Sequence, residues 1–191
     1  MTPRYNTRSG ALLAVILSVA SIMGVNGAAA KFASGQHAEI KFSASQMNVA
    51  VDGEFKKFSA DVEFDPAAPT VGKVNVVIDA ATADTGSQDA DELLKGKDFL
   101  DVAHFPRATF ASSSITAAGA GKFLANGQFT LKGRSLPLVI PFKVRAESAG
   151  TWFEGGMPLS RLAYKVGEGE WADTGTISDQ VQIRFKIFVP K

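Results

Sequence analysis

Apolar and polar residues alternate with a period of two along much of the chain. In "HAEIKFSA", Ala38, Ile40, Phe42 and Ala44 are separated by Glu39, Lys41 and Ser43; in "KFSADVEFD", Phe58, Ala60, Val62 and Phe64 are separated by Ser59, Asp61 and Glu63. Successive side chains of a strand point to opposite faces, so each run predicts a strand with one buried and one wet face. The pattern recurs in "GKVNVVIDA" through Val74, Val76 and Ile78, and in "GKFLANGQFTLKG" through Phe123, Ala125, Gly127, Phe129 and Leu131. The closing "VQIRFKIFV" sets Val181, Ile183, Phe185, Ile187 and Val189 on one face. A slip of one residue there would expose that whole set, so its pairing is firmly specified.

"RSLPLVIPFKVRA" differs, because Pro137 and Pro141 fall on one face and direct their nitrogens toward the same neighbouring strand. Proline donates nothing to a ladder, so that side is expected to be poorly paired. The other set, Leu136, Leu138, Ile140, Phe142 and Val144, predicts a long, bent strand lining an interior. Turn signals separate the runs: "DPAAPTVG", "AAGAGK", "LKGR", "ESAG" and "GEGEWADTGT". Strands so spaced predict an all-β antiparallel barrel or sandwich. One helix is expected over "SQDADELLKG", with Thr85 or Ser87 as cap, acids at its start and Gly96 as its stop; a helical turn is also expected near "SQMNVA".

The first thirty residues change the picture of location. Arg4 and Arg8 precede the apolar run Ala11–Val25, which is followed by Asn26, Gly27 and three alanines. That is the layout of a cleaved export signal, with the cut expected after Ala28 or Ala30. The expected organisation is therefore a signal peptide over 1–30 and one domain over 31–191, acting in the periplasm. Two of the 20 basic residues and none of the 19 acids leave with the signal, so the mature charge is 18 minus 19, or −1. Such a balance gives no electrostatic case for nucleic acid. The chain has no Cys, which rules out thiol catalysis and thiolate metal sites and leaves stability to the apolar core.

Residues able to carry chemistry are few. His37 and His104 are the two histidines, and no pair of them stands at a metal-binding spacing. Asp98, Asp101 and His104 in "KDFLDVAHFPRATF" are the densest polar group; turn hydrogen bonding explains them as well as an acid–base pair does. Gly119 with Gly121, and Gly167 with Gly169, read as turns, since no helix follows to hold a phosphate. The chain is expected to be neither an enzyme nor a cofactor protein. Its 14 Phe fall mostly on inward strand faces, and a barrel of about eight strands either fills with such side chains or holds one slim ligand.

The ordered series "DVEFDPAAP", Val74–Ile78, "DTGSQDADELLKGKDFLDVAHFPRATFAS", "GQFTLKGRSLPLVIPF" and "RLAYKVGEGEWADTGTISDQVQI" resembles the YceI-like family over Ser34–Lys191. The resemblance implies an exported, eight-stranded, lipocalin-like antiparallel barrel with a short helix covering one end. It also implies a tunnel for a polyisoprenoid lipid such as a quinone or polyprenyl compound. Leu100 stands where a second aromatic is common, and Tyr164 and Lys165 stand where "FG" is frequent. The expected lining is Ile40, Phe42, Val62, Val76, Ile78, Phe110, Phe123, Phe129, Leu138, Ile140, Phe142, Phe185 and Ile187. Leu93, Leu94, Phe99 and Phe105 are expected to point inward from the cover. Two other readings stay open: an enzyme acting on such a lipid, and a solid barrel that docks transiently on an inner-membrane protein such as a cytochrome. A homodimer is open as well.

Overall fold

The computed structural model describes residues 28–33 and 37–190. The expected signal segment up to residue 27 lies outside the described residues. Eleven strands form one antiparallel sheet: β1 (Ala28–Ala33), β2 (Ala38–Gln46), β3 (Val49–Phe55), β4 (Phe58–Phe64), β5 (Lys73–Asp79), β6 (Ala83–Asp84), β7 (Arg107–Ala117), β8 (Lys122–Leu131), β9 (Arg134–Ala146), β10 (Gly150–Ser160) and β11 (Gln180–Pro190). A single α-helix among the described residues, α1 (Gln88–Lys95), stands between β6 and β7. The expected cleavage positions fall inside β1.

The order across the sheet is β1-β4-β5-β7-β8-β9-β10-β11-β2-β3-β6. Its two ends meet on one stretch of chain. β3 pairs with β2 and β6, whereas β4, which follows after Lys56 and Lys57, pairs with β1 and β5. The sheet thus curls back on itself. When β3 and β4 are taken as one strand bent at its middle, eight long strands make the wall, as expected of a lipocalin-like barrel, with β6 added at the bend and β1 along the length of β4.

Alternation sets the two faces. In β4, Phe58, Ala60, Val62 and Phe64 are buried and the three residues between them are exposed. In β9, Leu136, Leu138, Ile140, Phe142 and Val144 face in, and both prolines are exposed. The prolines have the expected cost: β9 pairs with β8 from Arg134 to Lys143, but with β10 only from Phe142 to Ala146.

Two expectations are corrected. No helical turn forms near "SQMNVA". Met47 and Asn48, at φ 48° and 64°, make the two-residue turn that joins β2 to β3, because a left-handed pair matches the twist of a tight hairpin. The helix exists where expected, but its cap is reversed. Ser87 makes no side-chain cap bond; Asp91 Oδ1 instead accepts from the Thr85 amide at 2.7 Å and from its hydroxyl at 2.8 Å.

Candidate functional site

The inward faces of the curled sheet enclose a cavity of about 150 Å³ whose lining residues are all Ala, Val, Leu, Ile, Met or Phe. Ten of the thirteen residues expected at the lining stand there: Ile40 on β2, Val62 on β4, Val76 and Ile78 on β5, Phe110 on β7, Phe129 on β8, Ile140 and Phe142 on β9, and Phe185 and Ile187 on β11.

Three do not. Phe42 is half-buried; its ring lies over Gly53, its register partner on β3, and meets Phe55 at a centroid distance of 5.4 Å, so that Phe55 lines the cavity in its place. Phe123 belongs to an aromatic plug at one end. Its ring lies 4.9 Å from Phe64 and 5.5 Å from Phe142, and Phe64 and Phe142 in turn contact Phe153 at 5.8 Å and 6.3 Å. Leu138 packs partly buried against the neighbouring apolar clusters. Phe rings from facing walls therefore meet at one end, and the space beyond them stays open.

The sequence pattern passed over Ala60, Val74, Ala108, Ala125 and Leu131, which share the inward faces of residues it did select and so could have been included. It also passed over Phe153, Met157 and Leu159. These lie on β10, whose "EGGMP" centre reads as a turn.

The other end is closed by the loop after α1 more than by the helix. α1 buries no residue, and Leu93 is 42% exposed, which corrects its expected inward direction. Of the helix, Leu94 alone packs against the apolar cluster at this end. Leu100 is the part of the cover that lines the cavity. Phe99 is buried and packs on Trp171 at 5.5 Å. Phe105, also expected inward, is half-buried and rests against the β8–β9 turn. The conformation of Gly133 there, φ 72°, and the ring 2.7 Å from where a Cβ would stand leave room for glycine alone.

Arg161, at the end of β10, holds this closure in place and was not foreseen. It is 4% exposed and spends its guanidinium on main-chain carbonyls: Nε to Ser178 at 3.0 Å, Nη1 to Val166 and Gly167 at 2.9 Å each, and Nη2 to Trp171 and Ile177 at 2.8 Å each. Burial lowers its pKa from the ordinary guanidinium value, and the charge of Asp179 opposes that shift. Burial raises the pKa of Tyr164, whose ring meets Phe129 edge-on at 5.4 Å.

The polar group of "KDFLDVAHFPRATF" lies outside the cavity. His104 is 71% exposed in its side chain, with Nδ1 2.8 Å from Asp101 Oδ1. Asp98 contributes its main-chain carbonyl, which accepts from the Gly167 amide at 2.8 Å and from Lys132 Nζ at 3.2 Å. Among the described residues no three His or carboxylate side chains gather as a metal site. His37, just before β2, is exposed and lies 5.7 Å from the Phe188 ring.

Known proteins share this architecture. A UPF0312 protein of Shewanella sp. (strain W3-18-1) is 33% identical over 178 residues, covering 90% of this chain and 93% of that protein. The crystal structure of BcnA from Burkholderia cenocepacia superposes with a TM-score of 0.78 at 39% identity, covering 80% of this chain and 96% of the other. A polyisoprenoid-binding domain from Saccharophagus degradans, described as implicated in plant cell wall breakdown, superposes at 0.63 and 16% identity over 85% of this chain and 99% of that domain, a likeness of fold. The family model of the YceI-like domain matches residues 33–189, and the chain belongs to that family.

Proposed function

We propose that the protein is a binding protein, not an enzyme, that shelters the isoprenoid tail of a quinone or polyprenyl compound in this cavity and acts in the periplasm after export. The observation that carries the reading is the lining: apolar side chains from nine strands converge on one space with no ionisable group among them. Such a wall favours a hydrocarbon and offers no acid, base or nucleophile to a reaction. A tail moved there from water gains roughly 0.8 kcal/mol per CH2, so four isoprene units give a gross gain above about 10 kcal/mol before ordering costs. The empty space is of the size known to admit a benzene ring, about 150 Å³, so a longer tail fills the barrel by moving the Phe142 and Phe153 rings aside. The sequence of residues 1–30 supports export. The polyisoprenoid-binding description of the Saccharophagus degradans relative supports the ligand class.

Organic extraction of the purified native protein, followed by mass spectrometry, tests the proposal. A stoichiometric prenyl lipid is the expected result. Recovery of none, with no uptake of a short-chain ubiquinone added to the protein, would overturn it.

A further inference from the structure

Where β9 parts from β10, the outer surface forms a cleft of about 420 Å³. Pro141 of β9 and Gly156 of β10 line it, and the residues next to them in the chain, Ile140 and Met157, line the cavity inside; Phe142 borders both spaces. The ladder between these strands stops at Phe142 and Gly155, so nothing in the sheet bonds Pro141 to Gly156. Cleft and cavity are separated by two unpaired strand edges and one ring.

The cleft carries an unbalanced charge. Lys122 and Lys143 are register partners on the exposed face of β8 and β9, and neither forms an ion pair among the described residues. Like charges placed directly opposite on a ladder are unfavourable, and a bound anion relieves them. Glu154, also in the cleft and the register partner of Lys143 on β10, makes no ion pair with it, because its Oε1 is turned to Arg145 and Lys186, 3.6 Å from each.

We propose that this cleft is the head-group site of the protein, and that it takes an anionic, phosphate-class head between Lys122 and Lys143 while the tail passes Phe142 into the cavity. The proposal rests on the cavity reading above and narrows its ligand to acidic prenyl lipids.

Calorimetric titration of the lipid-free protein with farnesyl phosphate, farnesol and inorganic phosphate tests it. Two nearby cations are expected to make farnesyl phosphate bind roughly tenfold more tightly than farnesol at low salt. A Lys122→Gln/Lys143→Gln variant is expected to lose that advantage with farnesol affinity unchanged, and Lys122→Arg/Lys143→Arg to keep it. Equal affinity for the two prenyl compounds, or an advantage that survives in the Gln variant, overturns the head-group site and leaves the cavity reading standing. Inorganic phosphate bound as tightly as farnesyl phosphate overturns it too, by showing a site for the free anion. Failure of both prenyl probes removes the cavity reading and this one together.

Discussion

Phe185 of β11 lies flat over Gly155 of β10, its register partner, with ring carbon Cζ 2.6 Å from where a Cβ at 155 would stand. On β7 the Phe110 ring lies diagonally over Gly127 of β8, 2.8 Å from its Cβ position. Rings laid on a glycine hug the wall and stop short of the axis, which is how a chain so rich in Phe keeps a hollow centre. In Gly155→Ala the methyl must push the Phe185 ring inward and also meets the Pro141 carbonyl at 2.5 Å. The expected outcome is a loss of about 1–3 kcal/mol in urea unfolding together with weaker uptake of a prenyl probe.

Arg161 offers a second test. Replacing it with Met keeps an unbranched stem but removes the guanidinium and leaves five hydrogen bonds unmade at buried or half-buried carbonyls. A buried acceptor left without its donor costs about 1–3 kcal/mol, and here several lose theirs at once. Arg161→Met is therefore expected to lower Tm sharply. Hydrogen exchange should show the segment 162–179 opening first. Unchanged exchange in that segment would mean that the guanidinium does not hold the closure.

The acid side of the pH profile has a defined sign. Hydrogen bonds from the Thr85 amide and hydroxyl, aided by Lys95, lower the pKa of Asp91 below its ordinary value. The unfolded chain therefore takes up this proton first as pH falls, near about 4, and the contribution to stability is present above that value and lost as pH drops through the lowered one. Amide exchange in α1, taken relative to its intrinsic rate at each pH, is expected to quicken below about pH 4 in the native protein. It should be quick already at neutral pH in Asp91→Asn, where the pH step disappears.

Much of this was legible in the sequence because alternation reports directly on half-buried strands. β2, β4, β5, β8, β9 and β11 were read with the correct inward faces, and the two prolines of β9 correctly marked a weak seam. β10 was not legible: Gly155, Gly156 and Pro158 are local turn signals, overridden by pairing with β11 along the whole strand. Nor was Arg161, since a lone arginine before an apolar residue has no sequence signature of burial; only the fold brings five carbonyls round it. The stop of the cavity at Phe64, Phe123, Phe142 and Phe153 was equally hidden, because alternation says which way a ring points and not how far facing rings reach.

His104 and Asp101 form an exposed pair, and such pairs contribute little, about 0–1 kcal/mol. Replacement of Asp98, Asp101 and His104 by Asn, Asn and Gln is expected to leave prenyl-probe affinity unchanged. Loss of binding or of a cellular phenotype in a variant that still folds would point to the enzyme reading.

Ala125 of β8 is 3% exposed and lines the cavity, which makes it the position at which a hollow barrel and a solid one respond in opposite ways. In a filled core, Ala125→Leu is overpacked and loses about 1–3 kcal/mol. Beside an empty apolar space the added carbons gain contacts, and filling of this kind commonly stabilises by about 0.5–2 kcal/mol. The same carbons take up room that a prenyl tail needs. The expected outcome is therefore a higher Tm for the lipid-free variant with a weaker affinity for the probe. A lower Tm with unchanged affinity would place the ligand elsewhere, because only a tail lying against β8 is displaced by what stabilises the empty protein.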